Sequence, residues 1–485
     1  MCHIDLDRTR ITKRKKTTEN CNCEQGRLNE LPDHLLLVIL SLLPLKSAIA
    51  TAVLSRRWRW LWTNLFDIDI DINYNQLLPF LHNVLPKLTS PYIRYLGLNL
   101  RLVSSSDINI SSWFDWAACR NKHIRQLRFV TDYPHISPEI PLWVFQLPCL
   151  VQLELKPWLV LRDDYADTTT LFNLPNLKKA CVEFYCSDHR VFEKALEKLV
   201  SCSPLLEDLS FKVGIWGDDD DIVVNLSSRS LKRLEMCFTW AIHVVINAPN
   251  LDSISIRADN VPKPSRYRIS FVDSPTALLA CSIWGWTDGL DDDVLLPSNF
   301  FSVISGVRFL TTLDQNPSPL IAPITFRSLT HLQFKVGYAL SGLALLQQCP
   351  ALEVLTYDLH EYLFDTDFSW SFPDSAPKCL VTRLKRIEIL AHPLVSRLEF
   401  ILLQLLNYLL HNAEALELLR ITITPPHRDL SGIGSGSYDE VHLIKKLFEV
   451  PRSSPLSRVE FYSPSCRVMD GGGIKSASSL RTLLD

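Results

Sequence analysis

Few residues of this chain stand where they could carry out a chemical reaction. The sequence holds 13 histidines and 13 cysteines, the side chains that most often bind metals or act as nucleophiles. The histidines are dispersed, and the closest cysteine pair, Cys21 and Cys23, has no further metal ligand near it. Residues 471–476 (GGGIKS) lack the full spacing of a phosphate-binding loop, and no GxSxG or HExxH motif occurs. We therefore expect no catalytic residue, no metal and no cofactor.

Composition and charge argue against two classes of partner. The net charge is −3 and the sequence pI is about 6.5, so no basic excess favours nucleic-acid binding. No apolar run approaches the length of about 18 residues that a membrane-spanning helix needs. The N-terminus carries charges where a secretion signal needs an apolar segment, and scattered cysteines without a pairing pattern favour a reducing compartment. We expect the nucleus and/or the cytoplasm, with neither nucleic acid nor membrane as a partner.

The first 26 residues differ from the rest because they are polar and contain the basic run Lys13–Lys16. A segment of this composition cannot build a core, so residues 1–26 are expected to form a disordered tail. The basic run is also typical of a nuclear-import signal. Both interpretations stay open.

Leucine is unusually frequent, at 81 of 485 residues, and from about residue 90 it recurs in a pattern close to LxxLxL. Successive first anchors between Leu150 and Leu251 lie 27, 29, 25 and 20 residues apart. This period is typical of leucine-rich repeats. The matching units are Ile93-Leu96-Leu98, Ile124-Leu127-Phe129, Leu150-Leu153-Leu155, Leu177-Ala180-Val182, Leu206-Leu209-Phe211, Leu231-Leu234-Met236, Leu251-Ile254-Ile256, Leu329-Leu332-Phe334, Leu352-Leu355-Tyr357, Leu384-Ile387-Ile389 and Leu416-Leu419-Ile421, with a poorer fit near Ile283 and at Ile304-Val307-Phe309.

Each unit supplies a short strand whose anchor residues point inward while the alternate residues point outward. One unit cannot bury its apolar side alone, but stacked units form a parallel sheet with a continuous core. Segments such as Val191–Val200 have helical spacing and are expected on the outer side. The pattern predicts an α/β fold: an irregular solenoid with parallel strands on the concave face and helices on the convex face.

A short unit with a different pattern, residues 27–66, precedes the repeats. Pro32 and Asp33 favour the start of a helix that must end before Pro44. Two shorter helices are expected after that proline.

The first of these helices is apolar on every side. From Leu35 to Leu43 each residue except Ser41 is apolar, whereas an ordinary surface helix shows only an apolar stripe. A unit of about 40 residues is too small to enclose such a helix. Part of it must therefore be buried elsewhere, either against the rest of the chain or against a partner protein.

Residues 27–62 closely resemble the F-box motif, particularly in its plant form. The resemblance implies a three-helix unit that binds a Skp-type adaptor and, through it, a cullin–RING ubiquitin ligase. It supplies the partner that the apolar helix requires. The matching residues are Arg27-Leu28, Leu31-Pro32-Asp33, Leu35-Leu36, Ile39-Leu40, Leu43-Pro44-Leu45-Lys46, Ala48, Thr51, Val53-Leu54-Ser55, Arg56-Arg57-Trp58 and Leu61-Trp62.

By the same resemblance, eleven residues would provide the adaptor contacts. Some must instead hold the three helices together, so adaptor contact and internal packing both stay open for each one. The eleven are Leu31, Pro32, Leu35, Leu36, Ile39, Leu40, Leu43, Pro44, Val53, Leu54 and Trp58.

The C-terminal part resembles the FBD region found in many plant F-box/leucine-rich-repeat proteins. The similarity covers residues 373–424 and 445–461 and implies a segment that extends and caps the solenoid. The predicted domains are a disordered basic tail (1–26), the F-box (27–66), the leucine-rich-repeat region (67–372), FBD-like repeats (373–463) and a flexible tail (464–485).

The outward-facing strand positions are the natural recognition surface of such a solenoid. Basic residues are well represented there and would suit a phosphorylated or acidic segment of a substrate, although each is equally an ordinary solvated strand residue. The candidate substrate-binding residues are Arg128, Lys156, Lys212, Arg257, Arg308 and Lys335.

The functional hypothesis combines these parts. The chain would be a non-catalytic substrate-recognition subunit of an SCF-type E3 ubiquitin ligase, with the F-box on a Skp-type adaptor and the repeats on a protein substrate. The alternative is a leucine-rich-repeat scaffold that binds an adaptor without ligase activity.

Overall fold

In a computed structural model, three short helices lead directly into a long parallel sheet. The basic run Lys13–Lys16, the rest of the expected tail 1–26, and the glycine-rich segment 471–476 lie outside the described residues. The structure describes residues 27–101, 111–131, 140–160, 172–186, 189–215, 222–238, 242–258, 268–284, 298–314, 324–336, 342–359, 372, 375–391, 398–423, 440–455, 457–463 and 467–469.

The N-terminal unit contains α1 (Asp33–Ser41), α2 (Leu45–Ala50) and α3 (Trp58–Leu61), joined by short 3-10 turns. Pro32 and Pro44 stand immediately before α1 and α2. A proline there fixes the backbone without removing a helical hydrogen bond. The number and order of the helices expected from the sequence are confirmed.

Within the described residues, sixteen strands form one main sheet and three form a second, smaller sheet. Neighbouring strands are parallel, except that the last two of the main sheet are antiparallel. In chain order the strands are β1 (Asp67–Asn73), β2 (Tyr95–Arg101), β3 (Gln126–Thr131), β4 (Gln152–Val160), β5 (Lys179–Cys186), β6 (Asp208–Ile215), β7 (Ile222–Ser227), β8 (Arg233–Phe238), β9 (Ile242–Asn247), β10 (Ser253–Ala258), β11 (Arg268–Phe271), β12 (Ala280–Trp284), β13 (Phe309–Asp314), β14 (His331–Val336), β15 (Val354–Leu359), β16 (Arg386–Ala391), β17 (Leu418–Ile423), β18 (Arg458–Tyr462) and β19 (Arg467–Met469).

Helices occupy several of the connections between strands. The helix expected from the spacing of Val191–Val200 is confirmed, and its apolar side chains are buried. The helices after α3 are α4 (Tyr74–Asn83), α5 (Ser111–Ala118), α6 (His189–Ser201), α7 (Ser298–Ile304), α8 (Lys378–Thr382), α9 (Leu398–Asn412) and α10 (Glu440–Glu449).

Alternation along each strand separates core from surface. In β3, Leu127 and Phe129 are buried, while Arg128 between them is partly exposed. The turn before each strand also joins the repeats: the amide of Val151 donates to the carbonyl of Arg125 at 2.7 Å, and the same bond recurs in later repeats. The leucine anchors therefore stack into one core, and the predicted solenoid with its concave parallel sheet is confirmed.

The expectation that helices form the convex face is only partly right, because part of this face is a three-stranded sheet. The second sheet has the order β11-β9-β7 and follows the turns that separate β6, β8, β10 and β12. Only 20 residues separate the anchors Leu231 and Leu251, which leaves little room for a helix. The connection instead alternates Ile242, Val244 and Ile246 as buried residues, and this period of two is that of a strand.

The structure adds strands at both ends of the recognised repeat units. Leu65, just ahead of β1, and Ile68 and Ile70 on β1 are buried, so a further rung lies within the predicted repeat region but ahead of Ile93, the first anchor recognised in the sequence. At the other end, β19 pairs with β18 in the segment expected to be a flexible tail. The stacked sheet therefore starts at the end of the helical unit.

One unit was assigned in the wrong register. The sequence favours Ile304, Val307 and Phe309 as anchors, but Leu310 aligns with the buried Leu332 of the next strand. The observed unit, Val307-Leu310-Thr312, is displaced by three residues. Because an odd displacement exchanges the two faces of a strand, Phe309 is exposed and Arg308 precedes the strand. Arg308 is therefore not on the concave face, which corrects its assignment as a substrate-binding residue.

Candidate functional site

The first candidate surface is an apolar face of the three-helix unit. It extends from α1 onto the turn after α2, where Val53 is 87% and Leu54 63% exposed. Apolar patches that remain exposed on a folded chain are typical of protein-binding surfaces. We call this set the F-box apolar surface, and its residues are Leu35, Val38, Ile39, Leu42, Leu43, Val53 and Leu54.

Three of the expected adaptor residues lie in the core. Leu36 and Leu40 are fully buried and Trp58 is 3% exposed. The two leucines are one turn apart on α1 and therefore share one face of it, and α1 packs on both α2 and α3. We assign these three to internal packing. The others keep the access that an adaptor contact needs: Leu31 is partly buried, and Pro32, Leu35, Ile39, Leu43, Pro44, Val53 and Leu54 are exposed.

Two members of the F-box apolar surface were missed in the sequence. Val38 and Leu42 are exposed and stand three and seven residues after Leu35. With Ile39 they complete the spacing of one helical stripe. That spacing is the signal that would have found them, because motif matching does not distinguish the two faces of an apolar helix.

Arg57 fixes the arrangement of the three helices. Its Nε donates to Asp33 Oδ1 at 2.7 Å, and its Nη2 donates to the carbonyl of Leu31 at 2.5 Å. Asp33 opens α1, and Arg57 immediately precedes α3, so the pair joins the two ends of the unit. Both side chains are more than a third exposed, and such pairs contribute about 0.2–1 kcal/mol. Arg57 therefore acts on geometry more than on stability.

The second candidate surface is the concave face of the main sheet. Register places Arg128, Glu154 and Cys181 side by side on three strands. Arg128 Nε donates to Glu154 at 3.0 Å, and Lys156 Nζ lies 3.6 Å from the other carboxylate oxygen. Burial alone would lower the pKa of Arg128, but Glu154 and Tyr95 raise it above the usual range. Two of the candidate substrate-binding cations thus share one carboxylate.

The same compensation holds farther along the face. Lys335 lies 3.6 Å from Asp358 of the next strand, and Lys212 is in register with Glu183. Burial raises the pKa of Glu183, and the positive charge of Lys212 opposes that rise. The expected basic face is therefore largely balanced by carboxylates of neighbouring strands.

Of the two remaining candidates, only Arg257 lies on the concave sheet. It is exposed on β10, in register with Cys237 and Trp284. Arg308 stands in the turn ahead of β13 and is not brought to this face.

A row of three charged side chains was not indicated by the sequence. Its members are the first residues of β5, β6 and β8, namely Lys179, Asp208 and Arg233. Asp208 of β6 lies 3.4 Å from Lys179 and 2.5 Å from Arg233. The sequence signal for this row is the alternation of positive and negative charge at the same position of successive repeats. It becomes informative only when the pairing of the strands is known.

These residues line a cleft of about 540 Å³ that crosses the concave face from β2 to β10. Its floor includes Cys181 and Ser210, which are smaller than the charged side chains around them. Burial raises the pKa of the Cys181 thiol, although Lys156 opposes this rise, so the thiol is not activated as a nucleophile. The cleft is arranged for binding, with charged and apolar groups in reach of an extended segment.

In the part of the chain that the structure describes, no three histidine, cysteine, aspartate or glutamate side chains are grouped as ligands of one ion. None of the helices described there is long and apolar enough to cross a bilayer.

Comparison with protein families gives two matches that coincide with these parts of the fold. Residues 28–65 match the F-box domain, and residues 110–278 match the LRR repeats of FBD-associated F-box protein At5g56370. The first match covers the three helices that carry the F-box apolar surface. The second covers β3, β4, β5, β6, β8 and β10, which form the concave cleft together with β2.

Similar proteins of Arabidopsis thaliana extend over nearly the whole chain. F-box/FBD/LRR-repeat protein At5g53840 is 28% identical over 91% of this chain and 96% of its own length. The chain is thus similar to plant F-box/leucine-rich-repeat proteins with an FBD region. F-box/FBD/LRR-repeat protein At4g26340 is 26% identical over 90% of this chain, and putative FBD-associated F-box protein At5g53635 is 28% identical over 90%.

Proteins that join an F-box to leucine-rich repeats are in general substrate adaptors without catalytic activity of their own. F-box domains in general bind Skp-type adaptors. The two surfaces are carried by parts of one buried core: an apolar surface on the three-helix unit and a polar, charged surface on the repeats.

Proposed function

We propose that the chain is the substrate-recognition subunit of an SCF-type E3 ubiquitin ligase. The F-box apolar surface binds a Skp-type adaptor, and the concave face of the repeats binds a protein substrate for ubiquitination. The chain supplies recognition, and the RING partner and the ubiquitin-conjugating enzyme carry the transfer.

The observation that supports this proposal most directly is the division of α1 into two faces. Leu36 and Leu40 hold the helix to the core, while Ile39 and Leu42 remain exposed. A helix that leaves such residues in water gains stability when a partner removes them from it, at about 25 cal/mol per Å² of apolar surface. The F-box match supports a Skp-type adaptor as that partner.

The test is co-expression of the full chain with a Skp-type adaptor, followed by co-purification. Ile39→Arg together with Leu54→Arg places two charges on the F-box apolar surface and should abolish retention of the adaptor. Val272→Arg is the matched control, because Val272 is a comparably exposed apolar residue of the repeats. Retention by the double variant would contradict the proposal.

Ubiquitin transfer distinguishes the ligase from a scaffold. The complex is reconstituted with a cullin and a RING protein, and ubiquitin chains on captured proteins are measured. Adaptor binding without cullin-dependent transfer would favour the scaffold.

We also propose that the complex acts in the nucleus and/or the cytoplasm. The basic run Lys13–Lys16 supports a nuclear share. A fluorescent fusion in which the four residues are replaced by alanine should lose nuclear signal; an unchanged distribution would exclude the run as an import signal.

A further inference from the structure

A second cleft lies on the rim of the solenoid, where the turns ahead of β2, β3 and β4 meet. Its volume is about 370 Å³, and its lining consists of Tyr92, Arg94, His123, Arg125 and Cys149. These residues come from equivalent turns of three successive repeats. Among the described residues, the lining includes two guanidinium groups and one imidazole but no carboxylate.

The two arginines occupy adjacent rungs. The amide of Arg125 donates to the carbonyl of Arg94 at 2.8 Å, and neighbouring strands lie about 4.8 Å apart. Arg94 is bound to Asp67, with Nε to Oδ1 at 2.9 Å and Nη2 to Oδ2 at 2.5 Å. Among the described residues, no carboxylate forms an ion pair with Arg125. One negative charge thus stands against two positive ones, and the pair of like charges favours an anion in the cleft.

The aromatic rings give this cleft a wall. Tyr92 and His123 meet edge to face with their ring centroids 6.0 Å apart, and His123 and Arg125 are exposed. A guanidinium offers paired N–H donors that match two oxygens of a phosphate. The imidazole and the phenol add further donors at the edge of the same cleft.

The cations of the rim and those of the concave face differ in their carboxylate partners. On the concave face, Arg128 and Lys156 share Glu154, and Lys335 is paired with Asp358. An incoming phosphate would have to compete there with carboxylates already in place. At the rim, Arg125 has no such competitor.

We propose that the rim cleft binds a phosphate monoester carried on the protein that the repeats recognise. The cleft is open and lined by exposed side chains, whereas a site for a free small molecule usually buries most of its ligand. The residue after Arg125, Gln126, lines the concave cleft. A substrate segment lying in the concave cleft can therefore present its phosphate at the rim. The inference rests on the proposed function, because it names a substrate class for the same repeat surface.

The test uses the full chain in complex with a Skp-type adaptor. The probes are a short glycine-rich phosphoserine peptide, the same peptide without phosphate, and inorganic phosphate, each titrated in ligand-observed NMR. The phosphopeptide should bind, and its unphosphorylated counterpart should not. Arg125→Ala should weaken binding at least tenfold, and Arg125→Lys should restore part of it.

Arg308→Ala is the matched control. Arg308 holds the same repeat position as Arg125, ahead of β13, and its amide also donates to the preceding turn at 2.8 Å, but it is not among the residues of the rim cleft. Equal losses in the two variants, or equal binding of both peptides, would overturn the proposal. Inorganic phosphate that binds as tightly as the phosphopeptide would overturn the substrate-borne assignment in favour of a free anion.

Adaptor retention, measured on the same preparations, separates the two proposals. If the chain retains the adaptor but binds the phosphorylated and unphosphorylated peptides equally, the rim site alone is overturned. Phosphopeptide binding by a chain that does not retain the adaptor overturns the ligase assignment alone.

Discussion

Glu460 shows how single side chains stabilise the end of the solenoid. It is a buried carboxylate that accepts hydrogen bonds from Arg420 Nε and Nη2, both at 3.0 Å, and from the Tyr462 hydroxyl at 3.1 Å. Burial alone would raise the pKa of Glu460, but these bonds and the charges of Arg420 and Arg458 lower it below the usual range. The carboxylate therefore contributes stability above its ordinary pKa, and this contribution is lost as the pH falls through the lowered value.

We expect Glu460→Gln to lower the free energy of unfolding by about 1–2 kcal/mol at pH 7, because the glutamine leaves the buried arginine contact without its charge. The deficit should shrink in acid, where the native carboxylate is protonated too. Urea unfolding at several pH values measures it. Glu417→Gln, an exposed position ahead of β17, is the control and should change little; a deficit that persists unchanged in acid would contradict the assignment.

Tyr95 gives the opposite pH dependence. Burial raises its pKa to about 12, and Asp69 adds to the rise while Arg128 opposes it. Because the unfolded chain releases this proton first, stability is complete below pH 10 and falls as the pH rises toward 12. In Tyr95→Phe the loss between pH 10 and 11 should be smaller than in the native chain, as read from urea midpoints. Parallel losses would show that Tyr95 does not carry the effect.

At the scale of elements, β7 is notable because it forms the edge of the second sheet and pairs only with β9 among the described strands. Its outer backbone groups are covered by α6: Glu193 accepts from the Val223 amide at 3.0 Å, and Glu197 accepts from the Asn225 amide at 3.3 Å and its side chain at 3.1 Å. Unpaired edges invite pairing with other chains. The two glutamates thus protect this edge.

Replacing Glu193 and Glu197 by alanine should lower the free energy of unfolding by about 1–2 kcal/mol and increase the fraction of dimer or aggregate on heating. Light scattering and thermal unfolding report the two effects. Lys194 Nζ lies 3.7 Å from Glu197, so Lys194→Ala serves as the control that removes this ion pair and leaves the glutamate bonds to β7 in place. Stability and aggregation equal to those of the control would mean that the edge is covered by other contacts.

Elements were predictable where spacing repeats. The LxxLxL anchors predicted the inward residues of most strands, because a parallel ladder demands the same buried positions in each rung. The second sheet was not predicted, because Ile242, Val244 and Ile246 lie between two closely spaced units and carry no leucine pattern. Arg308 was misplaced because Phe309 looks like an anchor until the register of β14 is known. In α1, composition showed that a partner was needed but not which apolar residues would meet it.

For the whole molecule, the decisive feature is that the F-box and the repeats share one core. Leu61 and Leu65 belong to the same buried cluster as Ile68 of β1, and the amide of Thr89 donates to the carbonyl of Thr63 at 2.7 Å. The F-box therefore serves as the terminal layer that covers the first rung, which a solenoid requires.

Deleting residues 27–66 should accordingly lower the thermal midpoint and expose apolar surface to a fluorescent dye, because β1 loses its cover. The variant with Ile39→Arg and Leu54→Arg should unfold nearer to the native midpoint than the deletion variant, since Leu54 is 63% and Ile39 37% exposed. Differential scanning calorimetry compares the three proteins. A deletion variant that unfolds at the native midpoint would show that the repeats form an independent unit.

The in-register parallel ladder has a further consequence for how such proteins diverge. Each strand pairs with the next through the same set of residues whatever the length of the connection between them, so a whole rung can be duplicated or lost without disturbing its neighbours. Each rung gained or lost between the F-box and the rim cleft would move that cleft by about 4.8 Å relative to the adaptor. If the proposed function holds, the number of rungs sets the distance between the adaptor and a protein bound at the rim cleft.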